Sequence, residues 1–290
     1  ILWRLLNYNT ANNLEEYMLD YHHHSEASVD SETPMADVCR TAIARGVTEI
    51  AFTEHMDFIP EEPNTGYFDY TRYMTAIDAA RREFSRDLTV LAGIEIDYCP
   101  DFEDEIAQWL SGKEFDFVVG SVHYIRGDGN ISEPRALDFF RDRTIDEAYN
   151  RYFDLVQQSA ETGMWDALGH LDLIKRYGVT HYGPFDTAPF SDQIDRILTT
   201  IIRNGIALEV NTSGLRQNPR DFYPAPTILR RYRELGGARV TVGSDSHTEK
   251  HTGEGIAEAY TMLKEIGFHT VEQFRERNGL SVPIDTLSPS

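Results

Sequence analysis

The 290-residue sequence carries 27 Lys plus Arg against 48 Asp plus Glu, a formal net charge of −21 at pH 7. A field of that sign repels phosphate backbones and anionic bilayers, so broad nucleic-acid binding and attachment to a membrane surface are set aside. No apolar run approaches the ~20 residues of a membrane span, and two cysteines, Cys39 and Cys99, are too few for a disulfide framework or a thiolate metal cage, which suits a reducing cytoplasm.

In chain order, residues 1–17 lack periodicity and precede Met18, a candidate native start; they are expected to be a leader or an added extension, with residues 18–290 forming one domain. From Met18 onward, short runs rich in Val, Ile and Phe alternate with longer amphipathic stretches. Strands are predicted at 18–22, 48–52, 88–96, 115–123, 165–170, 206–211 and 239–244. Helices are predicted near 34–45, 69–84, 101–111, 144–161, 191–203, 226–235 and 253–266. Pro34 suits a first helical turn, and Arg45-Gly46, Asn204-Gly205 and Leu235-Gly236 read as helix ends closed by a left-handed glycine. Residues 124–143 form a polar insertion whose Gly127, Gly129 and Pro134 resist regular structure, a candidate lid. Seven consecutive βα units argue for an α/β fold closed, or nearly closed, into a barrel; a doubly wound open sheet is the alternative, since strand order is invisible in sequence.

Six of the ten histidines fall at or just beyond predicted strand ends: His22 and His24 after the first, His55 after the second, His123 after the fourth, His170 after the fifth and His247 after the seventh. In a parallel barrel all strand C-termini share one rim, so residues distant in sequence converge there. Carboxylates fall at the same phase, with Asp20, Asp30, Glu95 and Asp245 beside the histidines. His22 and His24 lie on one face of an extended segment, whereas His23 points away and is expected to pack against helices. Each piece alone has an ordinary structural reading, such as a hydrogen-bonded histidine or a capping turn. Their conjunction at nearly every strand end points to a metal site built from nitrogen and oxygen ligands. His181, His251 and His269 read as surface residues, and Tyr67, Phe68, Tyr70 and Tyr73 as packing.

The order HHH at 22–24, TEH at 53–55, GIE at 93–95, SVH at 121–123, GHLD at 169–172 and GSDSH at 243–247 resembles the PHP (polymerase and histidinol phosphatase) superfamily. EVNTSGLR at 209–216 and GHLDLIKRYG at 169–178 resemble its histidinol-phosphate phosphatases. The resemblance implies a distorted seven-stranded, TIM-like (β/α)7 barrel holding two or three divalent metal ions, with Zn, Mn and Fe all compatible. It implies His22, His24, Asp30, His55, Glu95, His123, His170, Asp245 and His247 as ligands. Glu95 would bridge; His22, His24 and Asp245 would surround one metal, His123 and His170 a second, and Asp30, His55 and His247 a third.

Such a rim can bind a small phosphate monoester and present an acidified water for in-line attack on phosphorus, with no covalent phosphoenzyme. Asp245 or His247 could protonate the leaving oxygen. Arg176 and Arg216 are candidate phosphate contacts, with Ser213 as a hydroxyl donor. For the amino-alcohol part of histidinol phosphate, Glu54, Asp97 and Tyr124 are the candidates. Two other readings compete: a PHP phosphoesterase acting on nucleotides or oligonucleotides, which a basic groove would favour, and a non-enzymatic metal-binding domain, which would be expected to have lost ligands. Oligomeric state leaves no mark in the sequence.

Overall fold

The computed structural model describes residues 18–62 and 64–286, so the expectation for residues 1–17 lies outside the described residues. Seven strands, all parallel, form one sheet: β1 (Met18–His23), β2 (Val47–Met56), β3 (Thr89–Asp97), β4 (Phe117–Ser121), β7 (Ala167–Leu168), β8 (Ala207–Asn211) and β9 (Val240–Gly243). The spatial order follows the chain, β1-β2-β3-β4-β7-β8-β9. Beyond the end of β9 the chain returns to β1, where Asp245 N–H donates to His22 O at 2.7 Å and His24 N–H to Ser246 O at 2.9 Å. The sheet therefore closes, as the barrel reading expected and the open sheet did not. Gly243 makes this seam possible, since a Cβ there would lie 2.3 Å from His22 Cβ.

The seven predicted helices are present as α1 (Met35–Ala44), α2 (Tyr70–Phe84), α3 (Glu103–Leu110), α5 (Ile145–Thr162), α7 (Ser191–Asn204), α8 (Pro226–Glu234) and α9 (Ile256–Ile266). Their sequences explain them. In α7 the buried side chains Ile194, Ile197, Leu198 and Ile201 recur at three- and four-residue spacing, and Gly205 ends the helix in the left-handed region at φ 69°. α5 opens on a capping box in which Thr144 and Glu147 satisfy each other's backbone N–H. The apolar faces of strands and helices merge into one continuous core.

Three elements depart from the sequence reading. The 124–143 insertion is partly regular: a short hairpin of β5 (Tyr124–Ile125) and β6 (Gly129–Asn130) precedes α4 (Ala136–Arg141), whose Phe139 and Phe140 bury themselves in the core. α6 (Lys175–Tyr182) follows β7 inside the stretch read only as a motif. Finally, β10 (Thr270–Arg275) and β11 (Asn278–Pro283) form an antiparallel hairpin. It lies across the N-terminal ends of the barrel strands. Phe274 packs on Phe117 and Tyr21 with ring centroids 4.9 and 6.2 Å apart. Around it, Arg275 pairs with Glu49, Arg277 with Asp166 at 3.0 Å and Arg239 with Glu272 at 3.1 Å. The hairpin thus plugs one end of the barrel and leaves the other for the site.

Candidate metal centre and active site

The open end is where the strand C-termini deliver the histidines. Glu95, at the end of β3 and buried, is the hub. Its Oε2 lies 3.2 Å from His22 Nε2, 3.6 Å from His24 Nε2 and 3.1 Å from His55 Nδ1. Its Oε1 lies 3.0 Å from His170 Nε2 and 3.6 Å from His123 Nε2. One carboxylate therefore faces two groups of imidazoles. Asp30 Oδ2 stands 3.3 Å from His55 Nε2 and 3.0 Å from His247 Nε2, while Asp245 Oδ1 is 3.8 Å from His22 Nε2 and 3.6 Å from His24 Nε2. All nine expected ligands meet in this one cluster.

Do these residues fit divalent ions? His22 Nε2, His24 Nε2 and Glu95 Oε2 are buried with no hydrogen-bond partner. Three donor atoms stripped of water and turned toward one another need a cation between them. Three sets of ligand atoms lie within 4.8 Å of one another: His22-His24-Glu95, His55-Glu95-His123 and His24-His55-His247. Separations of this size between imidazole nitrogens and carboxylate oxygens are spanned by ions at ~2 Å from each ligand. The grouping differs from the expected one in where His24 and His55 can serve, because both rings stand between two sets.

The imidazoles are prepared for ligation by their outer nitrogens. His22 Nδ1 sits 2.5 Å from Glu209 Oε1, which holds the proton there and leaves the Nε2 lone pair for the centre. Ser28 Oγ donates to Glu54 at 2.7 Å and lies 3.2 Å from His24 Nδ1, so the latter carries the proton and Nε2 is again free. Burial would lower the His22 pKa, but Glu209, Glu95 and Asp245 outweigh it and hold it well above the ordinary value, so an ion bound at Nε2 would take the place of a proton. Burial also opposes the ionised form of Glu95, yet the imidazoles around it, His22 foremost, hold its carboxyl well below the usual range. Burial pushes His123 down to about 3, which keeps its ring neutral.

Above the cluster opens a cavity of about 300 Å³, lined in part by Asp30, His55, His123, Asp245, His247 and Arg176. The expected substrate contacts divide here. Arg176 lines the cavity, its guanidinium over the Tyr177 ring at 5.6 Å. Arg216 does not: its Nη2 donates to Ser244 O at 2.6 Å and Asp245 O at 2.8 Å, and its Nη1 is buried without a partner. Those carbonyls belong to a turn in which Asp245, a non-glycine residue, holds φ at 49°. Arg216 clamps that turn. Ser213 Oγ donates to Asp245 Oδ2 at 3.2 Å and so orients the same carboxylate.

Glu54, Asp97 and Tyr124 lie outside the residues that line this cavity. Glu54 is fully buried, accepts from Ser25 N–H, Ser25 Oγ and Ser28 Oγ, and is pushed up to about 7 by that burial. Asp97 accepts the His123 N–H at 2.7 Å and supports that ligand from behind. Tyr124 packs with Ile59 and Cys99. His23 points away from the cluster as expected, but its ring is buried against Phe52 of β2 rather than a helix, with Nε2 2.9 Å from Thr252 Oγ1.

Two residues escaped the sequence reading. Glu209 binds both His22 and the His170 N–H, the latter at 2.7 Å, and its signal was a carboxylate inside an otherwise apolar strand. Asp57 lines the cavity two residues beyond His55, on the phase of that ligand.

Comparison with known proteins gives the barrel a family. A family model described as the PHP domain matches residues 20–213, from the first strand to the turn after β8. The chain belongs to the PHP family. A histidinol-phosphatase of Lactococcus lactis is 33% identical over 261 residues, covering 88% of this chain and 94% of that one. A probable histidinol-phosphatase of Deinococcus radiodurans is 30% identical over 269 residues, covering 90% and 97%. Among solved structures, histidinol phosphate phosphatase from Lactococcus lactis, crystallised with zinc, L-histidinol and phosphate, aligns with a TM-score of 0.81 at 30% identity, covering 91% of this chain and 98% of that one. The PHP barrel thus extends over the seven strands described above.

Proposed function

We propose that this PHP chain is a divalent-metal-dependent phosphomonoesterase that hydrolyses L-histidinol phosphate to L-histidinol and inorganic phosphate in histidine biosynthesis. One observation carries the reading: the buried Glu95 hub and its imidazoles sit at the rim of a barrel aligned, over nearly its full length, with one solved holding zinc, L-histidinol and phosphate. His22, His24 and Asp245 would hold one ion, His123 and His170 a second, and Asp30, His55 and His247 a third, with Glu95 shared; Zn, Mn and Fe suit these ligands. Bound divalent ions supply Lewis acidity, which screens phosphoryl charge and makes water a stronger acid.

The protein's own part is binding and orientation. Arg176 presents guanidinium donors to the phosphate oxygens from the cavity wall. Asp245 and His247 also line the cavity, and one of them takes the proton given up by the attacking water and passes it to the leaving oxygen. Ser213 and Arg216 keep Asp245 in place, the first through its carboxylate and the second through its backbone. The buried free thiols Cys39 and Cys99 suit a cytoplasmic setting.

The test is a phosphate-release panel with metal-reconstituted protein, comparing histidinol phosphate, nucleoside monophosphates, sugar phosphates and a short oligonucleotide. The highest kcat/KM is expected for histidinol phosphate. A higher value for any nucleotide would overturn the substrate assignment.

A further inference from the structure

The cavity above the metal cluster has two chemically distinct sides. In the ring β1-β2-β3-β4-β7-β8-β9, β2 lies across the barrel from β7 and β8. From the far side, Arg176 and Gln217 reach the cavity on segments that follow β7 and β8. From the near side, Asp57 and Asn64 reach it on the segment after β2. The metal ligands lie between.

Asp57 is 3% exposed, and its Oδ1 has no hydrogen-bond partner; Asn64 Oδ1 is likewise buried and unpartnered. Among the described residues no Lys or Arg pairs with Asp57, and the one arginine lining the cavity is Arg176. Two acceptor atoms at a cavity wall, neither with a hydrogen-bond partner from the protein, are open to a donor brought by the ligand. A carboxylate in that position favours a cation. An ammonium carries three N–H donors and no acceptor, so it can serve both oxygens at once, whereas an imidazole ring presents at most two N–H groups pointing in opposed directions.

We infer that Asp57, with Asn64 beside it, is the subsite for the primary ammonium of the substrate and a specificity determinant for aminated phosphate monoesters. The inference rests on the histidinol phosphate reading and names the residues that recognise the amine. It also assigns an orientation: the phosphate lies toward Arg176 and the metal ligands, and the amine-bearing carbon toward the β2 side. A neutral or anionic monoester brings no cation to Asp57 and leaves its buried Oδ1 without a partner, which selects against it.

The experiment compares two esters, L-histidinol phosphate and its deamino analogue 3-(imidazol-4-yl)propyl phosphate, on the wild-type protein and on Asp57→Asn. The variant keeps the shape and removes the charge. The ratio of kcat/KM for the aminated over the deamino ester is expected to fall about tenfold or more in Asp57→Asn, mainly through KM. Metal content should stay unchanged, and inhibition by free L-histidinol should weaken in parallel. An unchanged ratio overturns the inference, because solvent then fills the acceptors. Loss of bound metal in the variant overturns it as well, by making Asp57 part of the metal site. A wild-type protein that turns over other monoesters and not histidinol phosphate overturns the substrate reading and, with it, this assignment; wild-type turnover with an unchanged ratio overturns the assignment alone.

Discussion

At 2.5 Å from His22 Nδ1, the Glu209 carboxylate decides which imidazole nitrogen keeps its proton, and through that which one faces Glu95. Its second oxygen accepts the His170 N–H at 2.7 Å, so one side chain braces ligands from two strands. Glu209→Gln can present its amide N–H to the ring and favour the wrong tautomer. Metal affinity is expected to fall ~10–100-fold, read by competition with a chromophoric chelator; an unchanged affinity would reduce Glu209 to packing. Residue identity and strand phase alone place His22 and His24 in the cluster and His23 outside it. They do not reveal what a polar side chain beside the site touches. Arg216 follows a strand end just as a phosphate contact should, yet its Nη2 holds two carbonyls of the Asp245 turn. Glu54 adjoins a ligand and is enclosed by Ser25 and Ser28.

Among the elements, the C-terminal hairpin is the one whose role comes wholly from packing. β10 buries Val271, Glu272 and Phe274 and half-exposes Thr270, Gln273 and Arg275, an irregular pattern in six residues, and β11 is almost wholly exposed. Its place is set by Phe274 meeting Tyr21 and Phe117, and by arginine-carboxylate pairs to strand beginnings far away in sequence. Phe274→Ala leaves a hole at the bottom of the barrel and should cost about 3–5 kcal/mol, measured by chemical denaturation. Metal content should be retained, because Phe274 touches no ligand. A cost below ~1 kcal/mol would show that the plug is dispensable. The insertion teaches the same lesson at smaller scale: Gly127 and Gly129 do adopt positive φ, but they turn a hairpin, and the Phe139-Phe140 pair then anchors α4 in the core.

For the molecule as a whole, the centre ties β1, β2, β3 and the segments after β4, β7 and β9 to one point, so metal binding and folding are linked. Without metal, Glu95, Asp30 and Asp245 share a small space with six imidazoles, and buried nitrogens of His22, His24 and His170 lack partners. Ions present at ~1,000 times their Kd stabilise the native state by about 4 kcal/mol per site, which is on the order of 10 °C in Tm for a chain of this size. Dialysis against a chelator is therefore expected to lower Tm by at least that amount, with recovery on adding zinc; an unchanged Tm would mean the cluster folds without ions. The order of residues along the chain is enough for the local grammar: seven strands and seven helices in succession, and the gathering of histidines and carboxylates near strand ends, while the full set of nine comes from the family resemblance. Periodicity, glycine stops and strand phase are written within a few neighbouring residues. The closure of β9 onto β1 and the hairpin plug are decided only in three dimensions. So are Glu209 behind His22, the commitment of Arg216 to a turn and the place of Asp57 on the cavity wall. Each depends on contact between residues that the chain keeps far apart, and a local pattern carries no record of such a contact.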